Sequence, residues 1–346
     1  MRQLAISLEE TPKAGDDLKK LISIIVPAYN EELCIEELVR RLKLVYQENQ
    51  SYDFETLIVE NGSTDRTWEI LQSIYAADSR FKVIRLARNF RMDGGITAGL
   101  HYAKGDACVF MTADLQDPPE LITEFVQKWE AGYENVYMQV SKRVGTGPIR
   151  TFNSKAFYWL AGKLTDNRIP KNASDFRLLD RKVYEAVRSM NERNRFVRGL
   201  VAWVGFKSIG IEAERPERFG GESKAHSLKV IDLAFKGIFS HSYIPLKFIT
   251  ASGVAISALS LISLTVCVVF WIAVGVPFAG FGSIVSIAVL AFGAITFMLG
   301  IIAEYLGLIY EEVKGRPNFV VAEQLGSLKH DFGLPEKTDQ IVIKDL

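Results

Sequence analysis

One stretch of this sequence restricts the possible folds more than any other feature. Over residues 248–303, 56 consecutive positions contain no Asp, Glu, Lys or Arg. A membrane-spanning helix needs about 20 consecutive apolar residues, so this stretch has room for two. Glycines and a proline at residues 275–282 interrupt it, as a loop between helices would. The sequence therefore predicts a C-terminal two-helix transmembrane hairpin, with spans near residues 247–274 and 283–308.

The charges around this hairpin predict its orientation. Lys236 and Lys247 precede it, Lys314 and Arg316 follow it, and the loop between the spans carries no charge. Because positively charged flanks stay in the cytoplasm, we expect both ends to be cytoplasmic, in an integral protein of the plasma (inner) membrane. Residues 228–239 place apolar positions on one helical side and lysines near the other, which is typical of an amphipathic helix at the membrane surface.

The overall composition argues against several classes of function. Lys plus Arg and Asp plus Glu are equal, at 41 each, whereas a nucleic-acid-binding protein normally shows a basic excess. We therefore expect no nucleic-acid partner. The three cysteines and four histidines are scattered, which argues against a zinc site or a disulfide framework. The first 20 residues contain four carboxylates and no apolar core, so no cleavable signal peptide is expected.

Short apolar runs alternate with amphipathic segments in the N-terminal third of the chain. Apolar runs typical of strands occur at residues 21–26, 54–59, 83–86 and 107–111. Helical patterns follow the first three runs, with Asn30 and residues 63–65 as predicted N-caps. This alternation predicts an α/β domain with a mostly parallel, Rossmann-like sheet and helices on both faces.

A polar cluster directly follows each predicted strand. The clusters are residues 27–31, 60–65, 85–91 and 112–117. The carboxyl ends of parallel strands lie at one edge of a sheet, and ligands bind beyond that edge. We therefore expect the four clusters to converge on one site.

The last of these clusters has the composition of a cation site. Asp114 and Gln116 are two residues apart after a predicted buried strand, so a carboxylate and an amide oxygen can face one hard cation. Such a cation suits a diphosphate leaving group, because it neutralises the charge that develops on departure. The alternative is that Asp114 only caps a helix that starts at Pro118.

Several motifs taken together resemble those of inverting GT-A glycosyltransferases of family two. They are IVPAYNEE at 25–32, GSTD at 62–65 and ADLQDPPE at 113–120. Three more resemble the polyprenyl-phosphate hexose synthases, such as dolichyl-phosphate mannose synthase and bacterial undecaprenyl-phosphate glucosyltransferase. These are DFRLLDR at 175–181, ERNRF at 192–196 and RFGGESK at 218–224.

The resemblance implies roles for individual residues. It implies that the nucleotide sugar binds at Pro27, Tyr29, Glu31, Glu60, Thr112, Ala113 and Arg143. It implies that Asp114 and Gln116 hold Mg²⁺ or Mn²⁺, and that Arg218 and Lys224 clamp the donor and acceptor phosphates as fixed positive charges do. Asp175 would orient the acceptor or act as a base, the alternative being a helix cap. For Arg218 and Lys224, the alternative is a solvated surface pair.

The resemblance also divides the chain. The predicted parts are a polar tail (1–20), a GT-A catalytic domain (21–227), amphipathic juxtamembrane helices (228–246), two transmembrane helices (247–310) and a cytoplasmic tail (311–346). The same resemblance implies a homo-oligomer, a tetramer with packed membrane hairpins.

Three positions depart from the family's usual pattern. The family commonly has two adjacent Asp where this chain has Glu60 and Asn61, and an Asp where it has Thr112. The lost charges predict an altered metal affinity or donor. They also leave open an inactive paralogue that binds nucleotide sugar as a membrane scaffold.

The predicted activity is transfer of a hexose, UDP-glucose being the first choice of donor, to undecaprenyl phosphate with inversion at the sugar. A lipid monophosphate is largely dianionic at neutral pH, since its second pKa lies near 6, so it needs no strong general base. A GT-A transferase with another acceptor is an alternative. A processive polysaccharide synthase is disfavoured because two spans are few for a sugar channel and no QxxRW motif occurs.

Overall fold

We describe the protein from a computed structural model. The structure describes residues 19–143, 170, 172–193, 195–216, 219–220, 249, several positions between 251 and 273, and 280–328. The predicted amphipathic helix at 228–239 therefore lies outside the described residues, as do residues 1–18 of the predicted N-terminal tail.

Strands and helices alternate through the first part of the chain. The strands are β1 (Lys20–Ala28), β2 (Tyr52–Glu60), β3 (Phe81–Leu86), β4 (Ala107–Phe110), β5 (Asn135–Arg143), β6 (Ala173–Asp180), β7 (Ser208–Arg215) and β8 (Val321–Leu325). The helices are α1 (Ile35–Glu48), α2 (Thr67–Ala77), α3 (Arg91–Tyr102), α4 (Leu121–Glu130), α5 (Arg181–Arg188), α6 (Val197–Val204) and α7 (Phe281–Val313). Each of the four predicted apolar runs lies in one of the strands β1 to β4, although the run at 107–111 extends one residue beyond β4.

All eight described strands form one sheet, in the order β7-β5-β6-β4-β1-β2-β3-β8. Four neighbouring pairs are parallel: β1 with β2, β1 with β4, β2 with β3, and β5 with β7. Strand β6 is antiparallel to both of its neighbours, and β8 is antiparallel to β3. The predicted mostly parallel α/β sheet is confirmed.

Successive residues of the central strands fill two separate cores. Ile24 of β1 packs in the core beneath α1, α2 and α4, whereas Ile25 packs in the core beneath α3, α5 and α6, because side chains alternate across a strand. A Cβ atom at Gly99 would lie 2.3 Å from Cγ2 of Ile25. Glycine at this position therefore lets α3 approach β1 closely and brings the start of α3 to the carboxyl edge of the sheet.

One described helix is long and apolar enough to cross a membrane. The apolar segment Ala291–Val313 of α7 has a mean hydropathy of 1.9 and is not buried by other parts of the protein. It overlaps the second predicted span, 283–308. Of the first predicted span, only scattered positions are described, and these are helical.

The chain beyond α7 differs from the predicted tail. Residues Val321–Leu325 form β8 at the edge of the catalytic sheet, where Glu323 pairs with Arg85 and their side chains form an ion pair of 3.0 Å. The Gln324 amide also donates to the Tyr102 hydroxyl at 2.6 Å. A five-residue strand is defined by its partner more than by its own pattern, so the sequence alone does not reveal it. Strand β8 ties the apolar helix to the sheet.

Candidate active site

The loops after β1 and β2 are joined to each other by hydrogen bonds. The N–H of Asn30 donates to Ser63 Oγ (3.0 Å), and the N–H of Thr64 donates to Asn30 Oδ1 (2.8 Å). Helix α1 begins at Ile35, so Asn30 connects two loops rather than capping α1 as predicted. The first two polar clusters therefore meet at one edge.

The start of α2 is fixed to the same loop. Asp65 Oδ1 accepts a hydrogen bond from the N–H of Thr67 (3.0 Å), the first residue of the helix. Thr67 Oγ1 in turn accepts from the N–H of Glu31 (2.9 Å). These bonds use short side chains with few rotamers, so the loop is ordered before any ligand arrives.

Glu60 is fully buried at the end of β2. One of its carboxylate oxygens accepts a hydrogen bond from the N–H of Ser63, and the other lies 3.2 Å from Nε of Arg85 without forming a hydrogen bond. Arg85 also pairs with Glu323 of β8. Glu60, one of the predicted nucleotide-sugar residues, is thus linked through Arg85 to β8, the strand that follows the apolar helix.

Asn61 is also buried, and its side chain shapes the loop between β3 and α3. Its Oδ1 accepts from the N–H of Phe90 (2.8 Å), and its Nδ2 donates to the carbonyl of Arg91 (2.8 Å). An aspartate here would keep the first bond but place a charge against the second carbonyl. Asn61 therefore holds this loop in place. In the sequence alone, Asn61 is only a position at which the family's usual charge is absent.

The segment after β4 places alternate side chains on opposite sides. Thr112, Asp114 and Gln116 are half-buried, whereas the residues between and after them are buried. Leu115 has a positive φ of 60°, which is unusual for a bulky residue. Burial of its side chain in the core holds this strained backbone in place, and the turn it makes leaves Asp114 and Gln116 on the site side.

Thr112 is a hydrogen-bonding centre in this segment. Its Oγ1 lies 2.7 Å from Asp114 Oδ1 and 2.7 Å from Asp117 Oδ2, and its N–H donates to the latter atom at 3.0 Å. Burial raises the pKa of Asp117, although Arg215, 3.7 Å away, and the bonds from Thr112 oppose this shift. Thr112 thus replaces the family's negative charge with a hydroxyl that fixes Asp114.

The residues here fit a divalent cation that also binds a diphosphate. Asp114 uses one oxygen, Oδ1, for the Thr112 hydroxyl and the N–H of Gln116 (3.2 Å), which leaves Oδ2 for a ligand. The Gln116 amide nitrogen lies 3.5 Å from the carbonyl of Pro216, so its amide oxygen remains for the same cation. Asp114 does not cap a helix, because α4 begins at Leu121. In the described part of the chain, no group of three or more Asp, Glu, His or Cys side chains is arranged to hold a metal ion.

A distant segment of the chain packs over this turn. Besides the contact of Pro216, the N–H of Phe219 lies 3.5 Å from the carbonyl of Asp114. Arg218, between these two residues, lies outside the described residues, and so does Lys224. Arg143 ends β5 and is paired with Arg215 of β7 in register.

Asp175 lies at the same edge, on β6. Phe110 of β4 pairs with Arg177 of the antiparallel strand β6, so Asp175, two residues before Arg177, is level with the turn after β4. Its carboxylate binds the Arg198 guanidinium of α6 through two hydrogen bonds of 2.9 and 2.5 Å. Burial acts to raise the pKa of Asp175, but Arg198 outweighs it with help from Arg177 and Arg215, and the pKa is lowered. An ion-paired strand residue of this kind is a poor base and not a helix cap.

Asp93 is a site residue that the sequence reasoning missed. It lies in the first turn of α3, and its Oδ1 accepts from the N–H of Val197 (3.0 Å), the first residue of α6. Burial raises the pKa of Asp93 to about 6, and the nearby Asp175 carboxylate adds to the shift. Asp93 thereby positions α6, which carries Arg198. The only sequence signal was an acidic residue shortly before the helix predicted around residues 96–103.

The remaining predicted nucleotide residues surround the same edge. Pro27 and Ala113 are buried, and Pro27 packs against Gly95 of α3. Tyr29 and Glu31 are half-buried in the loop after β1. The structure therefore brings residues that follow β1, β2 and β4 to one edge, as the polar clusters predict, and Asp175 of β6 lies at the same edge.

Comparison with known proteins assigns this arrangement to a class of enzyme. A model of the family described as "Glycosyl transferase family 2" matches residues 23–188. The uncharacterized glycosyltransferase YkcC of Bacillus subtilis (strain 168) is 41% identical over 304 residues, covering 88% of this chain and 94% of that protein. The bactoprenol glucosyl transferase of Shigella phage SfII is 33% identical over 301 residues, covering 87% of this chain and 97% of that protein.

The chain is also similar to solved structures. Glucosyl-3-phosphoglycerate synthase from Mycobacterium tuberculosis, in complex with Mn²⁺, UDP-glucose and phosphoglyceric acid, is 19% identical, with a TM-score of 0.43 over 64% of this chain and 78% of that chain. The sequence relatives carry the assignment. This chain is a glycosyltransferase with a mostly parallel α/β sheet. It belongs to glycosyltransferase family 2, and its resemblance to the polyprenyl-phosphate branch of the GT-A enzymes is confirmed.

Proposed function

We propose that this protein transfers a hexose from a nucleotide diphosphate sugar, UDP-glucose by preference, to undecaprenyl phosphate at the cytoplasmic face of the membrane. The observation that carries the proposal is the link between the apolar helix and the site. Helix α7 leads into β8, whose Glu323 reaches Glu60 through Arg85. This link would keep the site at the membrane surface, where the phosphate of a lipid acceptor lies. The bactoprenol glucosyl transferases among the relatives support the same acceptor.

We propose two membrane spans, as the charge-free sequence predicts. The described positions between 249 and 273 are helical, and the Ser252 hydroxyl lies 3.6 Å from Met298 Sδ of α7. This contact supports a first segment packed along α7. The tetramer implied by the family resemblance remains a prediction, which native mass spectrometry of the detergent-solubilised protein would test.

In the proposed reaction, the dianionic lipid phosphate attacks the anomeric carbon as the nucleoside diphosphate departs, which inverts the configuration. Mg²⁺ or Mn²⁺ bound at Asp114 and Gln116 would neutralise charge on the leaving diphosphate. The joined loops after β1 and β2 would hold the nucleotide, while Asp175 would orient the acceptor rather than take a proton, since its pKa is lowered. Catalysis would then consist mainly of positioning and charge stabilisation.

The test is transfer of label from radioactive UDP-glucose, UDP-N-acetylhexosamines, UDP-galactose and GDP-mannose to undecaprenyl phosphate in detergent. Each donor is assayed with Mn²⁺, with Mg²⁺ and with a chelator, and a reaction without lipid serves as the control. We expect lipid-extractable label from UDP-glucose that requires both lipid and metal. If the protein binds nucleotide but no donor gives label, the proposal is wrong and a nucleotide-sugar-binding scaffold is favoured.

A further inference from the structure

Three charged side chains form a row across the strands at one end of the sheet. Glu60 of β2 is directly opposite Arg85 of β3, and Arg85 is directly opposite Glu323 of β8. Directly opposite residues project from the same face of a sheet, so their side chains can interact. Arg85 Nε lies 3.2 Å from a carboxylate oxygen of Glu60, and Nη1 donates to a carboxylate oxygen of Glu323 at 3.0 Å. One guanidinium therefore connects two carboxylates on strands that are separated by β3.

Glu60 depends on Arg85 for its charge balance. The Glu60 side chain is fully buried, and the oxygen next to Arg85 accepts no hydrogen bond from the described residues. A buried carboxylate is costly unless a cation pairs with it. In the part of the chain that the structure describes, Arg85 is the cation that does so. The position of the Arg85 guanidinium therefore decides whether the Glu60 carboxylate is balanced.

Two further contacts hold Arg85 beside Glu60. The guanidinium lies over the ring of the buried Trp68 in α2, 4.6 Å from the ring centroid. The second contact is the hydrogen bond that Glu323 accepts. The Arg85 side chain is 30% exposed, and a long charged side chain at a surface tends to keep its head group in water. Glu323 therefore fixes a guanidinium that would otherwise be free to turn into the solvent.

Glu60 is joined to the loops after β1 and β2 through Ser63. The N–H of Ser63 donates to the second oxygen of the Glu60 carboxylate, and Ser63 Oγ accepts from the N–H of Asn30 at 3.0 Å. These bonds extend the row of charges, so a continuous series of polar contacts runs from Glu323 to Asn30. The series connects β8 with the two loops that we propose to hold the nucleotide.

Strand β8 is also held by contacts that do not involve Arg85. Val321 is 2% exposed and packs in the core beneath α3, α5 and α6. The Gln324 amide donates to the Tyr102 hydroxyl of α3 at 2.6 Å. The two kinds of contact can therefore be separated by substitution, because Gln324 holds the strand whereas Glu323 holds the guanidinium.

We propose that Arg85 and Glu323 are positioning residues for the donor: they hold Glu60, and through it the loops after β1 and β2, in the conformation that binds a nucleoside diphosphate. This inference rests on the proposed function and adds to it a dependence of donor affinity on the strand that follows the apolar helix. Both residues act through Glu60 and not by contact with the nucleotide. Because coupling between two sites is reciprocal, nucleotide binding stabilises the pairing of β8 with β3 by the same factor.

The first measurement is calorimetry of UDP and GDP binding to the full-length protein in detergent. The variants are Glu323→Ala, Arg85→Gln and the two combined, with Gln324→Ala as the matched control that loosens β8 without touching Arg85. We expect Glu323→Ala to weaken binding of the preferred nucleotide by about fivefold to twentyfold, within the usual range of coupling between sites, and Gln324→Ala to leave it unchanged. In the Arg85→Gln background, Glu323→Ala should weaken binding no further, because the guanidinium that carries its effect is already absent.

The second measurement is amide hydrogen exchange in β8, followed by mass spectrometry. The nucleotide should slow exchange at Val321–Leu325 in the wild type but not in Arg85→Gln. An ion pair that only stabilises the edge of the sheet would slow exchange equally with and without nucleotide. In transfer assays, Glu323→Ala should raise the KM for the donor and leave the KM for the lipid unchanged.

Several outcomes would overturn the inference. Unchanged nucleotide affinity in Glu323→Ala would reject it, and so would equal weakening in Glu323→Ala and Gln324→Ala, whether or not Arg85→Gln folds. Nucleotide binding that depends on Glu323, in a protein that transfers no sugar to lipid, would keep the inference and reject the proposed function. Transfer to lipid with an unchanged KM for the donor in Glu323→Ala would do the reverse. A wild type that binds neither UDP nor GDP would reject both.

Discussion

The two halves of the candidate site are built from opposite charges. On the β1–β4 half, the polar groups are carboxylates, amides and hydroxyls, such as Asp114, Gln116 and Thr112, bonded to one another and to the backbone. On the β5–β7 half, the guanidinium groups of Arg177, Arg198 and Arg215 act on the Asp175 carboxylate. A site rich in oxygen ligands needs a cation before it can hold a diphosphate, whereas a site rich in guanidinium groups binds an anion directly. Under the proposed function, the first half would bind the metal-assisted donor and is called the donor half, and the second would hold the lipid acceptor and is called the acceptor half.

The largest expected effect comes from breaking the donor half at Asp114. Asp114→Asn keeps the shape of the side chain and removes the charge proposed to bind the metal, so kcat should fall by about 10²–10³-fold. Transfer of radioactive glucose to lipid measures the change. Asp53→Asn, an exposed position at the opposite end of β2, is the matched control. Near-normal turnover in Asp114→Asn would reject the metal assignment.

The corresponding change in the acceptor half is Asp175→Asn. It releases Arg198 from its bidentate partner, so the acceptor loses its orientation while the donor half is unaffected. We expect kcat/KM for the lipid to fall by about a hundredfold, the effect of a misplaced reactant, with the Kd of UDP unchanged. Asp78→Asn removes a carboxylate that is ion-paired away from the site and should leave both values unchanged. A weaker UDP affinity in Asp175→Asn would mean that the two halves are not separate.

Asp93 of α3 joins the two halves through its hydrogen bond to the first residue of α6. We expect this group to make the free energy of unfolding depend on pH. The pKa of Asp93 in the folded protein is about 6 and therefore higher than the usual 3.8, so the folded state binds this proton more tightly than the unfolded state. The contribution of this group to the free energy of unfolding is therefore highest below about pH 4 and falls as the pH rises through 6. The loss is on the order of 2–3 kcal/mol.

Asp93→Asn isolates this effect, because its amide oxygen can still accept from the N–H of Val197. Denaturant titrations of the wild type and the variant at pH 4 to 7.5 give the difference in the free energy of unfolding. The wild type should lose stability relative to Asp93→Asn over this range. A difference that does not vary with pH would show that Asp93 keeps its ordinary pKa in the folded protein.

The smallest expected effect is on Mn²⁺ affinity, when the Thr112 hydroxyl of the donor half is removed. Thr112→Val removes the hydroxyl that fixes Asp114 and preserves the shape of the side chain, so Mn²⁺ should bind about five- to tenfold more weakly, which corresponds to one hydrogen bond. Electron paramagnetic resonance of free Mn²⁺ measures the affinity without requiring turnover. Thr112→Ser retains the hydroxyl and should bind Mn²⁺ as the wild type does. Equal affinities in all three proteins would leave Thr112 without a role in metal binding.

Much of the fold follows from local patterns, but the site follows from them only in part. The apolar runs predicted β1 to β4 because each run fills a buried strand, and the polar residues after them reached one edge because parallel strands end together. The cap assigned to Asn30 was wrong, since its side chain bonds Thr64 of another loop. The roles of Arg218 and Lys224 stay predictions.

The sequence by itself determined the alternation of strands and helices, an apolar helix near 283–308, and the acidic turn at Asp114, because each depends on residues close together in the chain. Only the tertiary structure decided that β8 completes the sheet and that Asp93 holds the start of α6. These contacts join residues about 100 to 240 positions apart. No local periodicity encodes such pairs, since they exist only once the sheet has brought their strands together.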